Sequence, residues 1–299
     1  MDLIAMAWRN IFRNKRRTLI TTIAIGLGLA LRIVSSSLGD GTHNLQISTG
    51  VSQMAGHVVV QAEGYPAEKD VEVALAKAPE VSAALQGAFP EARVIERIFF
   101  DGLITSPTGS SGVAITAVNP KAEAQVSDFN EKITHGTYLD GRSGMAIIVA
   151  RLADTLDVEV GDKVVLMSQK GSEVENKLFR VQGSCRTGVE ELDGFYMQLP
   201  LQDAQALLGL GTAVSQVSLH LPSADDTPAA LALAKATLPG PGMEILSWQE
   251  ALPELYQYVV MDDAGLYVFI LIIAFIVALG ILNTQLMSVL ERVREFGVM

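Results

Sequence analysis

The 299-residue sequence has a single cysteine, Cys185, and few charged residues of either sign. One cysteine excludes an intrachain disulfide and any zinc site built from several cysteines, and we expect Cys185 to be an inert small residue. The 22 basic residues are outnumbered by 33 acidic ones, which gives a formal net charge of −11. Because a nucleic-acid binder needs clustered Lys and Arg to neutralise phosphates, this balance argues against nucleic acid as a partner.

The sequence also lacks the motifs of common nucleotide-binding and hydrolytic sites. It contains no G-x-x-x-x-G-K-[ST] loop, Rossmann glycine fingerprint, G-x-S-x-G or H-E-x-x-H. An acidic cluster at Glu190, Glu191 and Asp193 favours a solvated loop over an acid/base pair. The histidines show no metal-ligand spacing: His43, His57, His135 and His220. We therefore expect no catalytic residue, metal site or cofactor in this chain.

What the sequence does contain is a long apolar run without charge between Asp263 and Glu291. The run exceeds the ~20 residues needed to cross a hydrocarbon core of ~30 Å. A core helix of a soluble protein is rarely apolar on every face over such a length. The run predicts a transmembrane helix at 264–290, and a second, less apolar run predicts another at 18–39.

Arg32 is a charge within the first predicted crossing. It lies fifteen residues beyond Arg17, roughly 22 Å along a helix that rises ~1.5 Å per residue. In a core of ~30 Å, that leaves it close to the far interface. Two interpretations stay open: a side chain that snorkels to the interface, or one that faces a substrate cavity or a partner helix. Small residues four apart predict close helix packing: Ala24 and Gly28, Ala274 and Ala278.

The distribution of basic residues predicts the topology. Residues 1–17 combine apolar residues at helical spacing with a basic cluster, which predicts a cytoplasmic amphipathic helix on the membrane surface. A signal-peptide n-region is the weaker alternative, because the chain has a second predicted crossing. Arg292 and Arg294 follow that second crossing, so the positive-inside rule places both ends in the cytoplasm and residues 40–263 in the periplasm.

The predicted periplasmic core domain alternates short strands and helices. Strand–helix–strand patterns at 57–100 and 214–247 predict a β-α-β layer of ferredoxin-like type. The residues between them, 101–212, are rich in strands and turns and predict an inserted β-rich lobe. The expected fold class is an α+β membrane protein, with two transmembrane helices flanking a mixed α/β periplasmic domain.

Five stretches of the chain resemble the permease subunits of MacB/FtsX-like ABC transporters, and the middle ones are most similar to the lipoprotein-releasing branch. The most specific is LNTQLMSVLERVREFGVM at the C-terminus, where the second crossing runs into a charged segment. The stretches are 7–18, 37–41, 136–164, 186–209 and 282–299. Two features depart from the family pattern: Arg32 replaces an apolar residue, and the sequence ends at Met299, before a third and a fourth crossing. We therefore expect the natural polypeptide to continue.

The resemblance implies a permease subunit of the plasma (inner) membrane, without an ATPase motif of its own. ATP and Mg would be bound by a cytoplasmic ABC ATPase. Other implied partners are a second permease copy or paralogue, membrane lipid and a periplasmic acceptor protein. The implied activity is export or release of a lipoprotein or another hydrophobic substrate by mechanotransmission. A non-transporting regulator that activates a periplasmic cell-wall hydrolase is the main alternative, and a membrane-anchored binding module is another.

The segment 291–299 follows the second predicted crossing without a proline, so its helix can continue into the cytoplasm. Glu291 and Arg294 are three residues apart, and such an exposed pair contributes only ~0.2–0.5 kcal/mol. Helix stabilisation is thus a weak explanation for so many charges. We predict that this coupling segment contacts the ATPase; the alternative is a solvated helix whose arginines only fix the topology. The candidate ATPase-coupling residues are Glu291, Arg292, Arg294, Glu295 and Phe296.

Overall fold

The structure is a computed structural model that describes residues 15–65, 73–170, 173–187, 193–238 and 240–296. It divides into two compact units. The helical unit contains the two ends of the chain, up to Ile47 and from Glu254, and the sheet unit is Ser48–Pro253. Most of the predicted amphipathic helix at 1–17 lies outside the described residues, as do Glu190, Glu191 and the last three residues of the coupling segment.

The described elements are numbered here in chain order. The α-helices are α1 (Lys15–Gly50), α2 (Ala78–Ala88), α3 (Pro120–Glu123), α4 (Ala150–Leu156), α5 (Leu201–Leu208), α6 (Thr227–Thr237), α7 (Trp248–Ala251) and α8 (Pro253–Phe296). The strands are β1 (Val58–Ala62), β2 (Arg93–Thr105), β3 (Ser110–Val118), β4 (Ile133–Gly136), β5 (Met145–Val149), β6 (Lys163–Lys170), β7 (Glu173–Cys185), β8 (Tyr196–Pro200), β9 (Gln216–His220) and β10 (Met243–Ser247). A π-helical segment, Val51–Ala55, follows α1, and a 3₁₀ turn, Ala224–Asp226, precedes α6.

Within the helical unit, α1 and α8 pack closely at Gly28. A β-carbon at this position would lie 3.1 Å from Val277 Cγ2 and 3.5 Å from Ile273 Cγ2. The prediction that Gly28 lies in a close helix contact is therefore confirmed. Ala274 and Ala278 are exposed in this chain, so the small-residue face predicted on α8 takes no part in the contact at Gly28. The contact residues are each one position earlier, and one position turns a helical face by about 100°.

Candidate membrane spans were predicted at 18–39 and 264–290. Among the described residues, one helical stretch, Pro253–Leu282, is long and apolar enough to cross a membrane, and Ile25–Gly39 is a shorter apolar helix. Both crossings stay predictions, the second of them on a helix of sufficient length.

The two long helices extend into the segment 40–263 that was predicted to be periplasmic. Helix α1 continues to Gly50, since no proline interrupts residues 40–50, and α8 already begins at Pro253. Proline suits the first turn of a helix because the backbone N–H that it lacks would have no helical partner there. The compact sheet unit is accordingly shorter, at Ser48–Pro253.

All the described strands belong to one ten-stranded sheet. The strand order is β10-β1-β9-β2-β3-β8-β5-β7-β4, and β6 pairs with β2 and β7. The first four strands are all antiparallel neighbours. The units β1-α2-β2 and β9-α6-β10 therefore interleave in one layer, which is the ferredoxin-like arrangement. This confirms the prediction that segments 57–100 and 214–247 share a sheet.

The strands of region 101–212, which was predicted to form an inserted β-rich lobe, pair into the same sheet. Strand β2 spans thirteen residues. Its first part, Arg93–Arg97, pairs with β9, whereas Arg97–Thr105 pairs with β3. Because one uninterrupted strand serves both groups, the insertion extends the layer. Local patterns do not reveal this, since the pairing partners are far apart in sequence.

The two faces of the ferredoxin-like layer differ in polarity. Helices α2 and α6 pack on each other and on this layer. Residues directly opposite each other on antiparallel strands share a face, so Val58 and Leu219 lie together on the apolar side, as do Val60 and Val217. On the other face, three polar side chains lie in one row across the sheet: Gln61, Gln216 and Arg97. All three are buried.

Candidate functional site: the helix–sheet junction

The two long helices are joined to neighbouring strands of the sheet. Helix α1 leads through the π-helical segment into β1, and β10 leads through α7 into α8. Strands β1 and β10 are antiparallel partners, with Val58 opposite Ser247. The chain therefore enters and leaves the sheet unit on adjacent strands. We call this region the junction: Val51–Ala55, Gly56, His57, and the residues that hold them.

The π-helical segment at the end of α1 is an unusual backbone element, because π-turns are rare and often occur at functional sites. It ends at Gly56, whose N–H donates a 2.6 Å hydrogen bond to the Val51 carbonyl. Gly56 has φ 74° and ψ 178°, a region essentially restricted to glycine. A β-carbon there would lie 2.9 Å from Ser218 Cβ and 3.0 Å from the Leu219 carbonyl oxygen. Both conformation and space thus require glycine.

A buried ion pair is hydrogen-bonded to the π-helical segment. Arg97 Nε donates to Glu123 Oε2 at 3.0 Å and Arg97 Nη2 to Glu123 Oε1 at 2.8 Å. The side chains of Arg97 and Glu123 are 0% and 2% exposed. Arg97 Nη2 also donates to the Ser52 carbonyl at 2.6 Å. The guanidinium therefore links β2, α3 and the π-helical segment.

Three glutamines add further links to the same segment. Gln216 Nε2 donates to the Met54 carbonyl, and Gln216 Oε1 accepts a hydrogen bond of 3.0 Å from Gln61 Nε2. On the segment, Gln53 Nε2 donates to Asp128 Oδ1 at 3.2 Å. The segment is thus attached to the sheet through main-chain carbonyls and side chains rather than through apolar packing alone. Such directional contacts fix its position more tightly than hydrophobic burial does.

The histidines near the junction are neutral at physiological pH. Burial, followed by the positive charge of Arg97 and by His57, lowers the pKa of His220 to about 2. Burial also lowers the pKa of His57. The His57 ring accepts a hydrogen bond from the Leu221 N–H, which its neutral form allows. The buried charges that act on the π-helical segment are therefore those of Arg97 and Glu123.

The chain leaves the sheet after β10 through the short helix α7, which fixes its path. Ser247 and Glu250 form a capping box at the start of α7, in which two backbone donors are satisfied reciprocally. The Ser247 backbone N–H is the main cause that lowers the pKa of Glu250. The next N–H, of Trp248, donates to the His57 carbonyl at 3.2 Å, so the exit is also bonded to the start of β1.

The residues that the sequence predicted for ATPase coupling lie at the end of α8. Glu291, Arg292, Arg294, Glu295 and Phe296 all fall within this one uninterrupted helix. Their side chains are not among those that the structure describes, so their role stays a prediction. The last three residues of the chain, 297–299, lie outside the described residues.

Arg32 lies on the helical unit, four residues beyond Gly28 on α1. Residues four apart share a helical face, so Arg32 lies one turn along the face that meets α8. Its side chain is half-buried. The facing stretch of α8 offers no carboxylate, because no acidic residue occurs between Asp263 and Glu291. Both interpretations of Arg32 stay predictions.

The sequence analysis missed the junction. A signal was present for Arg97, because three charged residues within the strand ARVIERIFF (Arg93, Glu96 and Arg97) are unexpected if both faces are buried. Nothing local marked Glu123 as its partner, since a four-residue helix places it there. Among the described residues, no group of His, Cys, Asp or Glu side chains could hold a metal ion.

Comparison with known proteins agrees with this architecture. The family model of the MacB-like periplasmic core domain matches residues 18–237. The chain belongs to the MacB/FtsX-like permease family. One relative, the lipoprotein-releasing system transmembrane protein LolC of Neisseria meningitidis serogroup B, is 22% identical over 291 residues, which cover 94% of this chain and 68% of LolC. Members of this family are permease components of inner-membrane ABC transporters, and their ATPase is in a partner subunit.

Two solved structures are similar to part of this chain at low sequence identity. The extracellular domain of the transporter YknZ from Gram-positive bacteria is 15% identical, with a TM-score of 0.46 over 64% of this chain and 99% of that one. The periplasmic region of MacB from Actinobacillus actinomycetemcomitans is 11% identical, with a TM-score of 0.48 over 67% of this chain and 92% of that one.

Proposed function

We propose that this chain is a transporter permease subunit that couples ATP hydrolysis by a cytoplasmic partner to release of a lipoprotein, or another hydrophobic substrate, in the periplasm. The observation that carries the proposal is the attachment of both long helices to adjacent strands, β1 and β10. A displacement transmitted along either helix acts on the same edge of the sheet. Movement of either helix would therefore displace the sheet unit through this edge.

The length of α8 suits this mechanical role. Its 44 residues correspond to about 66 Å of helix, roughly twice the thickness of the hydrocarbon core. One continuous helix therefore runs from the junction to the coupling segment. In the proposed topology both ends of the chain are cytoplasmic and the sheet unit is periplasmic. A partner ATPase that closes on ATP would push the coupling segment, and α8 would carry that displacement to β10.

The substrate class is proposed from the relative. LolC is named for a lipoprotein-releasing system, and the chain is similar to it over nearly its full length. A lipid-anchored protein must leave the bilayer to be released, and extracting an acyl chain costs about 0.8 kcal/mol per buried CH₂. Such a step requires coupled ATP hydrolysis. We propose that a second permease copy or paralogue completes the membrane part of the transporter.

Reconstitution tests the proposed function. The full-length protein and its partner ATPase are placed in proteoliposomes with a lipid-modified protein, and release into the soluble fraction is measured after ATP addition. We expect release with ATP and none with a non-hydrolysable analogue. Absence of release, together with ATP-dependent activation of a cell-wall hydrolase, would contradict transport and support the regulatory alternative.

A further inference from the structure

Arg97 is the most deeply buried charge at the junction, and its contacts join parts of the chain that are far apart in sequence. Complete burial of an arginine is rare in proteins. This side chain is 0% exposed and bonds both Glu123 on α3 and the carbonyl of Ser52, which lies 45 residues earlier. It projects from β2, the strand that pairs with β9, β3 and β6.

Stability alone is a poor explanation for this arrangement. Replacing a buried ion pair by apolar residues of similar volume is often neutral or stabilising, because the charges must be desolvated. One nitrogen, Arg97 Nη2, is shared between Glu123 and Ser52, while Nη1 has no hydrogen-bond partner within the described part of the chain. A pair optimised for stability would satisfy every buried donor. The Arg97 guanidinium is instead oriented for contact with the π-helical segment.

We propose that Arg97 and Glu123 are positioning residues that transmit displacement of α1 to the sheet. Glu123 holds the guanidinium by a bidentate contact, and the guanidinium holds the Ser52 carbonyl at the end of α1. When α1 shifts, this tether moves β2, and β2 carries the movement into the strands on both of its sides. The inference rests on the proposed transport function and assigns residues to its mechanical step.

A double substitution separates this role from a structural one. Arg97→Met or Glu123→Leu alone leaves one buried charge without its partner, so each should lower the thermal unfolding midpoint by roughly 10 °C. The double variant Arg97→Met/Glu123→Leu removes both charges and should recover most of that loss. Neither methionine nor leucine can donate to the Ser52 carbonyl, so the tether stays broken in the folded double variant.

The measured quantity is substrate released per ATP hydrolysed by the reconstituted full-length complex. We expect the double variant to fold and to release about tenfold less per ATP, equivalent to about 1.4 kcal/mol. The control is Lys177→Met/Asp203→Asn, which removes another ion pair of the sheet unit, with 2.6 Å between Lys177 Nζ and Asp203 Oδ1, away from the π-helical segment. This control variant should leave the amount of substrate released per ATP unchanged. Wild-type release per ATP in the folded double variant would overturn the inference, whereas no release by the wild type would overturn the proposed function itself.

If the double variant does not fold, the inference is tested instead by hydrogen exchange on the wild-type complex. We expect amides of Val51–Ala55 and of β2 around Arg97 to change protection together when a non-hydrolysable ATP analogue binds the partner. A change in one of these segments without the other would contradict a tether between them.

Discussion

Replacing Gly56 with alanine should cost about 2–6 kcal/mol of folding free energy, the sum of backbone strain and overpacking. The backbone of Gly56 occupies a conformation that only glycine adopts readily, and the new methyl group would approach Ser218 Cβ to 2.9 Å. Domains of this kind are stable by only about 5–15 kcal/mol, so the loss is a large fraction of the total. The midpoint of thermal unfolding of the full-length protein measures it.

Two other glycines serve as matched controls. Gly64 also has a positive φ, 87°, but a β-carbon there would meet nothing within 4 Å, so Gly64→Ala should show the conformational cost alone. Gly112 has neither a positive φ nor a close neighbour, and Gly112→Ala should be nearly neutral. If Gly56→Ala were no more destabilising than Gly64→Ala, the close approach between Gly56 and β9 would be refuted.

The second large effect is expected at the coupling segment. Glu295→Lys and Phe296→Ala, each in the complete protein, should abolish substrate-stimulated ATP hydrolysis while membrane insertion stays normal. The physical reason is that α8 reaches Phe296 as one helix, so contact with the ATPase at this end is the point where force would enter. Charge reversal would turn an attractive contact into a repulsive one, and loss of the phenyl ring would remove an apolar anchor.

Matched substitutions on the same helix distinguish coupling from a general effect on α8. Glu254→Lys makes the same charge reversal at the opposite end of the helix, and Phe275→Ala removes the same ring from its exposed apolar stretch. Both should retain substrate-stimulated ATP hydrolysis. Wild-type stimulation in Glu295→Lys and Phe296→Ala would show that the segment only anchors the helix.

Local pattern predicted much of the sheet unit. The run Val58-Val59-Val60 consists of β-branched residues, which favour a strand, and all three are buried. Gly209 ends α5 in the left-handed conformation with φ 68°, which is the usual place of a glycine after a helix. Helix α2 begins at Ala78, with Pro79 in its first turn. Proline marked the start of this helix rather than an interruption.

The junction could not be predicted, because it depends on contacts that are distant in sequence. Arg97 and Glu123 come together only when β2 and α3 are packed, and Gln216 meets Met54 across 162 positions. Gly56 has no neighbouring turn motif, and its close contacts come from β9. Hydrophobic periodicity identifies elements, whereas strand register and buried polar contacts follow from their assembly.

The prediction that Cys185 is inert agrees with its environment. The residue is completely buried at the end of β7. Burial, the nearby charge of Asp193 and a smaller opposing effect of Lys132 together raise the pKa of the thiol to about 12. Because the thiolate is the reactive form, this side chain is a poor nucleophile at neutral pH.

The most direct test of mechanical transmission is a flexible insertion between Leu252 and Pro253, where α8 begins. A short Gly-Ser linker transmits little force because it behaves as a random coil, and it would leave the tether between Ser52 and Arg97 in place. The measurement is substrate released per ATP hydrolysed in the reconstituted full-length complex. The account predicts that hydrolysis continues and that release is lost. Release per ATP at the wild-type level would contradict it.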